Sequence, residues 1–174
     1  MGEPLCVIGD RPGYSPRIGR LVAMMEYARR TTVDEVQGLT VEQLDHLHDA
    51  QSNSIGALLH HIAGIERYYQ KTLGIEQESG PAEEQQDWEA AEELGDLGRR
   101  RLRGRPLGYY LDLLASLRAR TLEAMRRRDD AWLDIEKGEG QGRCNRHWEW
   151  FHVFEDELNH RGQIRWLKRR LPAG

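Results

Sequence analysis

Asp156-Glu157-Leu158-Asn159-His160-Arg161-Gly162-Gln163 sits inside an apolar-periodic segment that starts near Asn145 and runs to Arg170, just before Pro172. At about 100° per residue, Val153, Asp156, His160, Ile164, Leu167 and Leu171 share one side of a helix, and that side is its apolar stripe. Asp156 and His160 therefore face inward, one turn apart, as two ligands of one ion must. A carboxylate buried in its ionised form costs several kcal/mol unless it is paired or coordinates a cation. A helix with such a stripe needs partners, and the rest of the chain supplies them.

Working outward, a lead containing Gly9, Pro12, Gly13 and Pro16 gives way to Ile18, Leu21, Val22, Met25, Ala28, Thr32 and Val36, an amphipathic helix ended by Gly38. Thr40 and Gln43 have capping-box spacing and predict a short helical turn. A second long helix is expected from Ser52, Asn53 or Ser54 to Gly74, carrying Leu58, His61, Ile65, Tyr68, Tyr69 and Leu73. On it His61 faces inward, while His60 points a quarter turn away toward Arg67. A third helix is expected from Pro106 at its first position, with Leu107, Tyr110, Leu111, Leu114, Leu117, Thr121 and Met125 on one face and Arg126, Arg127 and Arg128 at its end. Gly138, Gly140 and Gly142 break the chain before the last helix.

Between the second and third helices, Glu76 to Asp96 form an acidic block with Glu83, Glu84, Asp87, Glu89, Glu92 and Glu93. Arg99, Arg100, Arg101, Arg103 and Arg105 follow at once. Such blocks read as solvated loop or surface helix whose opposite charges clamp one another. The expected fold is all-α, an up-down-type four-helix bundle with a long acidic connection between helices 2 and 3. It is one domain over residues 1–174, with an N-terminal lead at 1–16 and the charged connection at 76–104.

Composition excludes several classes. Apolar residues make up 39% and charged residues 31%, a balance of amphipathic helices with no run approaching the ~20 apolar residues of a bilayer span. The N-terminus has no basic start and no long apolar core, so a cytoplasmic location is expected. Cys6 and Cys144 form no metal-type pair and read as free thiols. A net charge of −4 gives no reason to expect a nucleic acid as partner.

Two readings of the histidines stand side by side. His61 alone is ordinarily a hydrogen-bonded core residue, and Asp156 with His160 an ion pair. Their joint occurrence on two helices favours one shared cation in an open site. His152 is rotated about 80° from the His160 direction and Glu157 about 60° the other way, so both are read as lining the pocket or backing the ligands, Glu157 as a weaker substitute for Asp156. Tyr68 and Tyr69 could wall the pocket or donate a proton. His46, His48 and His147 read as surface residues. Arg161 and Arg165 read as helix C-terminal charge, or as attraction for a substrate carboxylate. Phe151, Phe154 and Leu158 lie opposite His160, so the last helix is apolar on both sides and a homodimer is expected.

His61-Ile62-Ala63-Gly64-Ile65-Glu66 on the second helix, with Asp156-x-x-x-His160-Arg161-Gly162-Gln163-Ile164 on the last, resembles the DinB-like superfamily of metal-binding four-helix bundles. Thiol-dependent maleylpyruvate isomerases and the bacillithiol and mycothiol S-transferases are among its members. The resemblance runs from about Ile18 to Leu171, without the acidic insert. It implies a metal trio at His61, Asp156 and His160, with Asp156 where many relatives have His. Two histidines and a carboxylate suit zinc first, with nickel or iron as alternatives. The implied chemistry is activation of a low-molecular-weight thiol toward a small electrophile, as an S-transferase or isomerase, with the catalytic residues unassigned. A small metal-dependent hydrolase and a non-catalytic, stress-related metal- or ligand-binding dimer remain the alternatives.

Overall fold

The computed structural model describes residues 6–75 and 81–172. Residues 1–5 of the lead and 76–80 of the charged connection lie outside the described residues. Helix α1 spans Pro16–Val36, with Pro16 at its first position. Helix α2 spans Val41–Asp45 under the expected capping box: the Gln43 amide donates to Thr40 Oγ1 at 3.3 Å and the Thr40 amide to Gln43 Oε1 at 3.0 Å. Helix α3 spans Ile55–Gln70 behind a Ser54 cap and ends through a 3-10 turn at Lys71–Leu73, with Gly74 left-handed at φ 74°. Helices α4 (Ala82–Glu93) and α5 (Gly95–Arg101) follow, then α6 (Leu107–Met125) and α7 (Arg146–Lys168). The long helices pack in the ring order α1, α7, α3, α6, with α6 closing on α1.

The all-α bundle holds, with two local differences. Pro106 caps α6 rather than opening it, which moves that start by one residue. The Gly138–Gly142 break is a hairpin in which β1 (Glu136–Lys137) pairs antiparallel with β2 (Cys144–Asn145). A two-residue strand is too short to leave an alternating pattern in sequence.

The charged connection takes the surface-helix form among its expected alternatives, with one side buried. Its described part is two helices, α4 packed on α3 and α5 packed on α4, with Trp88, Ala90, Ala91 and Leu102 buried. Their charges do clamp one another: Asp87 pairs with both Arg101 and Arg105. The acidic residues obscured four inward side chains, three of them small or spaced irregularly.

The two-sided apolar character of α7 is met within the chain. Phe154 is buried in the cluster to which α1 contributes Ile18, Leu21, Val22 and Met25, and Leu158 packs against it. Phe151 and Trp148 stay exposed. Arg161 donates to Thr31 Oγ1 and Arg165 to Glu35 at 2.7 Å, so both arginines tie α7 to α1.

Asn145 caps the helix that carries two candidate ligands, its Oδ1 accepting from the Trp148 amide at 2.9 Å. Asn145→Ala should lower stability by about 1 kcal/mol through loss of that cap, measured by urea unfolding.

Candidate metal centre

Antiparallel packing of α3 on α7 brings His61 to Asp156 and His160. His61 Nε2 stands 3.5 Å from Asp156 Oδ2, and His160 Nε2 stands 3.4 Å from Asp156 Oδ1. The two imidazole centroids are 4.6 Å apart, and one ligand-type atom from each of the three residues lies within 4.8 Å of the others. Each side chain retains 10–13% of its exposure, so the cluster is nearly buried yet reachable.

The donor set fits a divalent cation on grounds internal to the structure. His61 Nδ1 lies 2.7 Å from the Ala91 carbonyl oxygen. A carbonyl only accepts, so Nδ1 carries the proton and Nε2 presents its lone pair to the trio. This is how a protein orients a histidine ligand through its second ring nitrogen. Asp156 Oδ2 is buried without a hydrogen bond, although two imidazoles flank its carboxylate. Burial pushes the Asp156 carboxyl up, but His160 and His61 outweigh it and hold it below the usual carboxylate range. Burial likewise pushes His61 down, while Asp156 and the Ala91 carbonyl together raise it. Asp156 is thus anionic at neutral pH, the state a ligand needs. Two imidazole nitrogens and one carboxylate are a donor set that could hold a divalent metal ion.

The other expected site residues scatter. Tyr69 is buried; burial, then Glu149, pushes its phenol up to about 12, with Asp156 a smaller contribution. Tyr68 is 42% exposed with the Lys71 ammonium 3.3 Å over its ring, so it forms surface rather than pocket wall. His152 stacks on Trp148 at 5.2 Å, pairs with Glu155 at 3.1 Å and meets the edge of Tyr69 at 6.1 Å. Glu157 is fully buried with both oxygens taken by Arg29 and Arg118, at 2.9 and 3.4 Å, and so does not replace Asp156. His60 is as buried as His61: it packs between Trp88 of α4 and Tyr109 and Tyr110 of α6, and burial lowers it to about 4. Its predicted outward direction fails because α4 covers that side of α3.

Residues 20–172 match the family described as Mycothiol-S-transferase. The chain belongs to the mycothiol S-transferase family. The matched range holds His61, Asp156 and His160 together, and with it the DinB-like resemblance is established. Among solved structures, a conserved protein from Enterococcus faecalis superposes with a TM-score of 0.64 at 12% identity, over 86% of this chain and 94% of that one. At that identity the likeness shows the fold alone. No curated protein matches the chain. Among the described residues no helix of this mycothiol S-transferase family member is long and apolar enough to cross a membrane.

Two features of this family member escaped the sequence reading. Ala91 acts through its backbone carbonyl, which no side-chain pattern reveals. Arg29, Glu66, Arg118 and Glu157 form a buried ion quartet with one member on each of α1, α3, α6 and α7. A signal existed for the quartet: each residue occupies a stripe position, as Glu66 does between Ile62 and Tyr69, and Glu157 between Val153 and His160.

Proposed function

We propose that the protein is a metal-dependent thiol S-transferase that uses mycothiol or a similar small thiol, with His61, Asp156 and His160 as the metal ligands. The observation that carries this reading is the convergence of two imidazole Nε2 atoms on an anionic Asp156 in a chain of the mycothiol S-transferase family. A divalent ion held there supplies Lewis acidity, which lowers the pKa of a thiol so that its thiolate is available at neutral pH. The thiolate sulfur then forms a bond to an electrophilic carbon. The thiol proton passes to solvent, and any leaving group departs with its electron pair.

The chain's own residues prepare that step. The Ala91 carbonyl holds His61 in the ligating tautomer. Asp156 supplies negative charge without giving up a proton. Tyr69 keeps its proton at neutral pH, so it is a hydrogen-bond donor and cannot act as a base. Between the segment that precedes α3 and helix α7, a groove of about 410 Å³ is lined by Ser52, Asn53, Asn159, Gln163 and Trp166. Trp166 lies six residues beyond His160, roughly 9 Å along the helix axis. Neutral hydroxyl and amide groups beside an indole suit an uncharged, hydrogen-bonding thiol body.

The test supplies zinc-loaded protein with mycothiol and a small alkylating electrophile and follows the S-conjugate. Conjugation above the spontaneous rate, reduced at least ~100-fold in Asp156→Ala, is expected for loss of a group that holds the reaction centre. Hydrolysis of esters or amides without thiol conjugation would favour the bound-water alternative instead.

A further inference from the structure

We infer that α4, in the charged connection, is a positioning clip for His61. The Ala91 carbonyl is free to take His61 Nδ1 because the helix is interrupted there. Leu94 adopts φ 55° and ψ −140°, the only positive-φ non-glycine among the described residues, and it ends α4 before α5 begins. The Leu94 amide still donates to the Ala90 carbonyl at 3.0 Å. The next amide in the ladder, Gly95 N–H, would ordinarily reach Ala91. It donates instead to Asn53 Oδ1 at 3.0 Å, which leaves the Ala91 oxygen for the imidazole. A strained residue thus converts a helix end into an orienting acceptor, and its strain is sustained by the packing around it.

Close approach of the two backbones depends on small side chains. Gly64 on α3 faces Ala91, and a Cβ at position 64 would lie 3.5 Å from the Ala91 Cβ, in ordinary contact. Alanine fits there, but a longer side chain displaces α4. Trp88, one turn before Ala91, sets the register: its ring meets the edge of His60 at 5.0 Å and 83°, and the Arg67 guanidinium lies 4.6 Å over it. Trp88 and Ala91 thereby grip His60 and His61 together. His61 Nε2 is aimed at Asp156 before any ligand arrives, and ring reorientation is removed from the cost of binding.

The metal readout of this clip rests on the function proposed above, while its tautomer readout stands alone. Long-range proton–nitrogen NMR of the metal-free protein, at a pH where the ring is neutral, should show wild-type His61 protonated at Nδ1. Gly64→Ala should keep that state. Gly64→Leu and Trp88→Ala should give a mixture of tautomers with far-UV helicity retained, and their zinc affinity, by chelator competition, should fall ~10–100-fold, the range for lost outer-shell partners. Trp88→Ala removes bulk and carries the test if Gly64→Leu does not fold. A fixed Nδ1–H tautomer in wild type without zinc binding would support the clip while refuting the metal centre. Wild-type His61 protonated at Nε2, or tautomer and zinc affinity unchanged in Trp88→Ala, would overturn the clip.

Discussion

Glu66→Ala is expected to destabilise the protein by about 3–5 kcal/mol, the range for breaking a buried ion pair by removal of one partner. For a chain of this length that lowers Tm by on the order of 10 °C. Glu66 accepts from Arg29 Nη2 at 2.9 Å and from Arg118 Nε and Nη2 at 2.9 and 3.1 Å, and its side chain is fully buried. The arginines also cap backbone carbonyls, Arg29 on Leu114 at 2.7 Å and Arg118 on Met25 at 2.8 Å. Without Glu66, two guanidiniums share Glu157 alone, and neither can leave the core without breaking those carbonyl bonds. Arg30→Ala is the contrasting control: its partner Asp34 is exposed and one turn away, so the loss is under ~0.5 kcal/mol. Thermal and urea unfolding of the two variants should differ several-fold in effect. Near-equal losses would show that the quartet contributes no more than a surface pair.

The same carboxylate predicts an acid limit. Burial pushes Glu66 up, but Arg118 and then Arg29 outweigh it and hold it at about 2, against an ordinary 4.5. A depressed carboxylate stabilises the fold above its unfolded pKa. The Glu66 contribution is therefore complete above about pH 4.5 and is lost as pH falls toward about 2. Urea midpoints should drop through that window in wild type and more shallowly in Glu66→Gln. Parallel slopes would assign the acid transition to other carboxylates.

The long helices were legible because their apolar positions recur at three and four, and because Ser54, Asn145 and Gly74 mark their ends. The inward turn of Asp156 and His160 followed from the same periodicity. The quartet was present in that pattern but hidden by residue type. Val22, Met25, Arg29, Thr32 and Val36 form one continuous row, as do Val153, Glu157, His160, Ile164 and Leu167, and a charge in such a row reads as an interruption until four are seen to meet. The buried side of the connection was missed for the opposite reason: most of its acidic residues are solvated, but the inward contacts are made by Trp88, by small alanines and by one backbone carbonyl. Neither His60's burial nor Ala91's role follows from α3 alone, since both are created by a segment 20 to 30 residues away.

Loss of either histidine of the trio should abolish stoichiometric metal binding. His61→Ala removes the ligand oriented by Ala91, and His160→Ala removes the one that shares a turn with Asp156. Each leaves two protein donors where an open catalytic site uses three. The affinity loss should exceed the ~10–100-fold typical of outer-shell changes. The bundle should remain folded in both variants, because the quartet and the apolar clusters lie outside the removed imidazoles. Metal analysis of protein purified without an affinity tag, comparing wild type with these two variants, tests the central claim most directly. About one divalent ion per wild-type chain and almost none in either variant is the expected result. Full metal content in the variants, or a wild-type protein that binds none, would contradict it.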